Sequence, residues 1–151
     1  MGVVVAVDES PGAWSAIALA ASEAKWRHTP LIAVMAYRAD RVAGVPAARP
    51  LSTLRTEDED RAAAQAAVQD AVRQALGAEE AASVRLCVVA GLAGRVIVDT
   101  ARQERAQLIV LAARSGISVL PGTVSQYVLR NSPCPVLVVP AGRQPARQAA
   151  D

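Results

Sequence analysis

The stretch from residue 107 to 140, QLIVLAARSGISVLPGTVSQYVLRNSPCPVLVVP, constrains the fold more than any other part of the chain. It opens on an apolar run, LIVLA at 108–112. Continuous hydrophobicity over so few residues is the pattern of a strand buried on both faces of a parallel sheet. A loop with Arg114, Ser115 and Gly116 follows, then Pro121-Gly122-Thr123. Beyond Gly122 the period turns helical, with Val124, Val128 and Leu129 on one stripe, and Asn131-Ser132-Pro133 stops it. A second apolar run fills 135–139. Strand, small-residue loop, helix, strand is one βαβ unit, because parallel neighbours require a crossover of this length. A Gly-Thr pair opening a helix places unbonded backbone N–H groups and a hydroxyl where an anion can sit.

The rest of the chain repeats the alternation. Residues 3–7, VVVAV, form an apolar run that ends in Asp8, the signature of a central parallel strand with an acid at its carboxyl end. Ser10 is placed to cap the next helix and Pro11 suits its first position. That helix is predicted over 13–27, with Ile17, Ala20, Ala21 and Ala24 near one stripe and Trp14 and Trp26 packing at its two ends. His28-Thr29-Pro30 ends it, which makes His28 a helix-end residue rather than a catalytic one. A second strand is predicted over 31–37. Residues 39–55 hold Gly44, Pro46 and Pro50 without a period and read as a long loop. Thr56-Glu57-Asp58-Glu59 is a capping box for a helix running to Leu76 and closing at Gly77. The acids at 57–60 read as the solvated start of that helix. Strand three is predicted over 84–90 and is broken by Gly91; a helix over 95–105 turns Val96, Ile97, Thr100 and Ala101 inward. Strands four and five are 107–112 and 136–139, and residues 141–151 read as a flexible tail. Five strands alternating with four helices imply right-handed crossovers and a doubly wound α/β parallel sheet with helices on both faces. Such sheets bind ligands beyond the carboxyl ends of the strands, where the winding reverses. Asp8 and the loop after strand four are the two candidates for that rim.

Composition narrows the function. The 151 residues are 52% hydrophobic with 3% aromatics and no Phe, so the core is Val, Leu, Ile and Ala. The net charge is +2 and the Arg residues are scattered, without the basic, aromatic-interleaved face that nucleic acid requires. No apolar run is long enough to cross a bilayer. Met1-Gly2-Val3 lacks the basic start of a secretion signal, and a cytoplasmic location is expected. Cys87 and Cys134 lie in or beside apolar runs and read as small buried hydrophobes. One histidine supports neither a metal cluster nor a Ser-His-Asp or Cys-His arrangement, so no catalytic residue is assigned and no metal site is expected. Asp8 and Thr123 would support at most slow hydrolysis of a bound phosphate.

Three blocks carry a resemblance to the universal stress protein family: VVVAVD at 3–8, QLIVL at 107–111, and GTVSQYVLRNSPCPVLVV at 122–139. The similarity spans a domain at residues 1–140. It implies a flavodoxin-like, adenine-nucleotide α-hydrolase-like fold with strand order 3-2-1-4-5. It further implies a homodimer formed by antiparallel pairing of the last strand, here Val136, Leu137, Val138 and Val139. An apolar edge strand with nothing to cover it agrees with that pairing.

One branch of the family binds ATP through a loop similar to Gly-two-Gly-nine-Gly-Ser/Thr. Gly122 and Thr123 match its end, followed by Val124 and Ser125. Asp8, with Ala6 and Val7, matches the strand end that holds adenine and ribose, and Ala36 falls where strand two lines the base. The front of the loop departs: Ala112 and Ser115 stand in place of glycines, and six residues rather than nine separate Ser115 from Gly122. Glu9 adds a negative charge beside the site. Arg114 reads either as a phosphate contact or as a solvated rim residue. Two functions stay open: a regulatory module holding ATP or ADP, with or without Mg²⁺, and a dimeric stress or signalling module of the same fold that binds no nucleotide and acts through a regulatory protein partner.

Overall fold

A computed structural model describes residues 1–8, 12–38, 56–113 and 123–140 of the chain. The elements follow in order: β1 (Val3–Ala6), α1 (Ala13–Trp26), β2 (Leu31–Tyr37), α2 (Glu57–Leu76), α3 (Ala78–Ala81), β3 (Arg85–Ala90), α4 (Ala93–Gln103), β4 (Leu108–Ala112), α5 (Thr123–Asn131) and β5 (Val136–Val139). The five strands form one sheet in the order β3-β2-β1-β4-β5, and every pairing is parallel. Val3 of β1 stands level with Leu31 on one side and Leu108 on the other. Strand alternation then sorts the core into two layers. Val3, Val5, Leu31, Ala33, Leu108 and Val110 meet Ile17, Ala20, Val68 and Val72 of α1 and α2. Val4, Ile32, Val34, Ile109 and Leu111 meet Val96, Ile97, Ala101 and Val128 of α4 and α5. The central strands are apolar at every position because both of their faces are covered.

The helix ends are built as local chemistry dictates. The Thr56 side chain accepts from the Glu59 N–H at 3.3 Å while Glu59 Oε2 accepts from the Thr56 N–H at 3.0 Å, closing the capping box. Helices α1 and α4 both end in Schellman turns. His28 N–H donates to Lys25 O and Thr29 N–H to Ala24 O; Arg105 N–H donates to Arg102 O and Ala106 N–H to Ala101 O. The left-handed residue in each is not glycine but His28, φ 52°, and Arg105, φ 51°. Asn131 Nδ2 donates to Tyr127 O, and the Ser132 hydroxyl donates to Cys134 O at 2.6 Å, so the stop signal after α5 is a bonded corner leading into β5.

Several readings of the sequence are corrected. Trp26 is 87% exposed and packs nothing at the end of α1, while Trp14 is only partly covered. Leu129 is also exposed, so the inward stripe of α5 reduces to Val124 and Val128. A fifth helix, α3, follows Gly77 directly; its four residues are too few to show a period. Helix α1 starts at Ala13 with Gly12 as its N-cap and no side-chain cap bond; Ser10 and Pro11, Glu9, the loop at 39–55 and the tail at 141–151 lie outside the described residues. Cys87 and Cys134 are free thiols, partly buried against the α4–α5 layer. Among the described residues no helix is long and apolar enough to cross a membrane, and no group of three His, Cys, Asp or Glu side chains is placed to hold a metal ion.

Candidate functional site

Helices α1 and α2 cover one face of the sheet, and α4 and α5 the other. From β1 the chain therefore crosses over one face toward β2, and from β4 over the opposite face toward β5. At the carboxyl ends of β1 and β4 the two crossovers diverge, leaving a crevice that no helix among the described residues fills. A cleft of about 780 Å³ occupies this point. That is a size suited to a small organic ligand rather than to one ion.

The cleft is lined from six elements and the residues that follow them. Ala6, Val7 and Asp8 come from the end of β1, Ala36, Tyr37 and Arg38 from the end of β2, and Ala112 from β4. Helix α2 contributes Asp60, Ala63 and Ala64, helix α4 contributes Ala93 and Ile97, and the first turn of α5 contributes Val124 and Ser125. Six of these residues are alanine. The space stays open because their side chains end at Cβ where a Val or Leu would fill it. Val7 is buried beneath the site and Asp8 is exposed at its mouth.

Of the residues singled out in the sequence, the structure brings Ala6, Val7, Asp8, Ala36, Ala112, Val124 and Ser125 around this one cleft. Arg114, Ser115 and Gly122 lie outside the described residues, and Thr123 is placed through its backbone as the first residue of α5. The N-terminus of α5 thus opens on the same cleft as Asp8, and the first N–H groups of a helix have no partner within the helix itself.

Sequence reasoning missed the α2 side of the site. Glu57, Asp58 and Glu59 are exposed, as a solvated helix start should be. Asp60 is not: it turns toward the cleft, and its Oδ2 is buried. The signal available was spacing. Asp60, Ala63 and Ala64 stand at i, i+3 and i+4, one face of a helix, and Ala64 is in the core. Tyr37 ends β2 and Arg38 follows it, and both were within reach of the same argument.

Comparison with known proteins agrees with this architecture. No curated relative matches the chain by sequence. Among solved structures, the universal stress protein UspA from Lactobacillus plantarum is similar at 27% identity, TM-score 0.70, over 92% of this chain and 97% of that one. A universal stress protein in complex with cAMP matches at 21% identity, TM-score 0.66, over 94% and 98%. The universal stress protein from Archaeoglobus fulgidus in complex with dAMP matches at 22% identity, TM-score 0.63, over 91% and 96%. The profile of the universal stress protein family matches residues 1–140, every element of the sheet and its helices, and the chain belongs to that family.

Proposed function

We propose that this protein is a cytoplasmic regulatory module that binds an adenine nucleotide, ATP or ADP, across the carboxyl ends of β1 and β4. The observation that carries the reading is the 780 Å³ cleft at the reversal of winding, open because alanines line it and flanked by a helix N-terminus. Its chemistry is graded along its length. The α5 end offers backbone N–H groups and the Ser125 hydroxyl, suited to phosphate oxygens. Away from it lie the carboxylates of Asp8, after central β1, and of Asp60, on α2, which accept from hydroxyl or amino donors and repel phosphate. Two relatives of the same fold hold cAMP and dAMP, ligands that share an adenine and one phosphate on a pentose. Mg²⁺ would arrive on the phosphates, held by one or two carboxylates at most. The dimer we propose pairs β5 with β5 of a second copy, since β5 ends the sheet and Val138 is 38% exposed on it.

The test is direct. The purified chain is analysed by mass spectrometry for co-purified nucleotide and titrated with ATP and ADP by calorimetry. A Kd below about 100 μM, weakened by Asp8→Ala and by Ala36→Leu, which fills the cleft without removing a polar group, supports the reading. No heat and no thermal shift at millimolar nucleotide would refute it. One observation favours the second reading, a module that acts through a protein partner without nucleotide. Ala112 and Ser115 stand where the binding branch has glycines, and their φ freedom is smaller. The same titration decides between the two.

A further inference from the structure

Asp60 is the charged residue that α2 contributes to the cleft. The helix start makes no use of its Oδ2: Thr56 and Glu59 complete the cap, and the Asp60 N–H donates to Thr56 O. Oδ2 is buried and accepts no hydrogen bond from any described residue, Arg38 included. A buried carboxylate oxygen without a donor is unfavourable, and a group that brings a donor to it gains more than an ordinary hydrogen bond.

The position of Asp60 along the rim says which part of a ligand reaches it. Strands β4 and β2 flank β1, two strand spacings apart, about 9–10 Å. That is close to the length of a sugar and base together. With phosphate on the α5 N-terminus beyond β4, the sugar lies over Asp8 at the end of β1. The base then extends past Ala36 toward α2. An adenine presents its exocyclic 6-amino group there, a two-proton donor. At the same position a 6-oxopurine presents a carbonyl oxygen, which a carboxylate repels; its N1–H, the donor on that edge, lies one ring position away. We propose that Asp60 is a specificity-determining residue that accepts a hydrogen bond from the 6-amino group and selects adenine over 6-oxopurines. This rests on the nucleotide reading above.

ATP and inosine triphosphate differ only on that edge of the base, at the 6-substituent and at N1, so calorimetric titration of the full chain with each reads the edge, and the Asp60 variant assigns it to this side chain. The wild type is expected to prefer ATP by about tenfold or more, the worth of one charge-assisted hydrogen bond. Asp60→Asn, whose amide can donate to the 6-oxo group, is expected to weaken ATP about tenfold and to leave inosine triphosphate unchanged or tighter. The preference is a ratio within one protein, so partial loss of folding cannot imitate it. An ATP preference that is equal in wild type and Asp60→Asn overturns the assignment while leaving nucleotide binding intact. A wild type that binds neither triphosphate overturns both.

Discussion

Gly94 offers a measurement in which two effects of known sign compete. It is the second residue of α4, buried where that helix crosses α5. Replacing glycine by alanine in a helix ordinarily stabilises by about 0.5–1 kcal/mol, because the unfolded chain loses freedom. Here the added Cβ would sit 2.9 Å from Cδ1 of Tyr127 and 3.1 Å from its Cβ and Cγ. Carbon contacts are optimal near 3.5–4.0 Å. The Tyr127 ring is 39% exposed and can swing, but its Cβ is fixed to the backbone of α5. The helices must therefore separate by several tenths of an ångström, an overpacking cost of about 1–3 kcal/mol. The clash wins: Gly94→Ala is expected to destabilise by about 0.5–2 kcal/mol, lowering Tm by roughly 2–6 °C in a domain of this size. Urea unfolding of the four members of a Gly94→Ala, Tyr127→Gly cycle checks the cause, since only glycine removes the fixed Cβ as well as the ring. With Tyr127 truncated, Gly94→Ala should become stabilising by about 0.5 kcal/mol, a coupling of about 1–2.5 kcal/mol. A stabilising Gly94→Ala in the wild-type background, or a cycle that closes without coupling, would refute the argument. Because α5 carries Val124 and Ser125 to the cleft, the single variant should also weaken whatever binds there.

Thr56→Ala removes one arm of the capping box and should cost about 1 kcal/mol by urea unfolding; a loss under about 0.3 would mean the cap contributes little. His28→Gly and Arg105→Gly each relieve a left-handed residue at an exposed Schellman turn and should raise stability by up to about 1 kcal/mol, unless the bonded turn holds those angles without strain. Val138→Asp should give a monomer on a sizing column if β5 pairs with its copy, and an unchanged dimer would move the contact to another surface.

What was legible in the sequence was whatever a single periodicity or a single turn encodes. Residues 108–112 read as a doubly covered strand because no position tolerates a polar side chain, and all but Ala112 are buried in the fold. The cap at Thr56 and the stop at Asn131-Ser132-Pro133 were legible because each is closed by bonds within four residues. The order of the strands was not written in any local pattern; it came with the family resemblance, and the parallel ladder bears it out. The failures share a cause. Trp26 is large and apolar, but the stripe of α1 that meets the sheet is built of Ala13, Ala16, Ile17, Ala20, Ala21 and Ala24, and Trp26 lies off it. Asp60 looked like the end of a run of solvated acids, and only the third dimension separates it from its neighbours.

The cleft itself argues against an origin in stability alone. A chain selected only to bury apolar area would not place alanine at six positions around one crevice. Each Ala exchanged for Val or Leu there would fill space, recover dispersion contacts and remove apolar surface from water, about 0.8 kcal/mol per methylene. Nor would it leave Asp60 Oδ2 buried without a donor among the described residues. Stability not realised at one place, together with an unsatisfied polar atom at the same place, is what a binding site looks like in the free protein. The two departures coincide where the crossovers diverge, at the ends of β1 and β4. The winding of the sheet therefore explains why there is a crevice, and the alanines and Asp60 explain why it has not been filled.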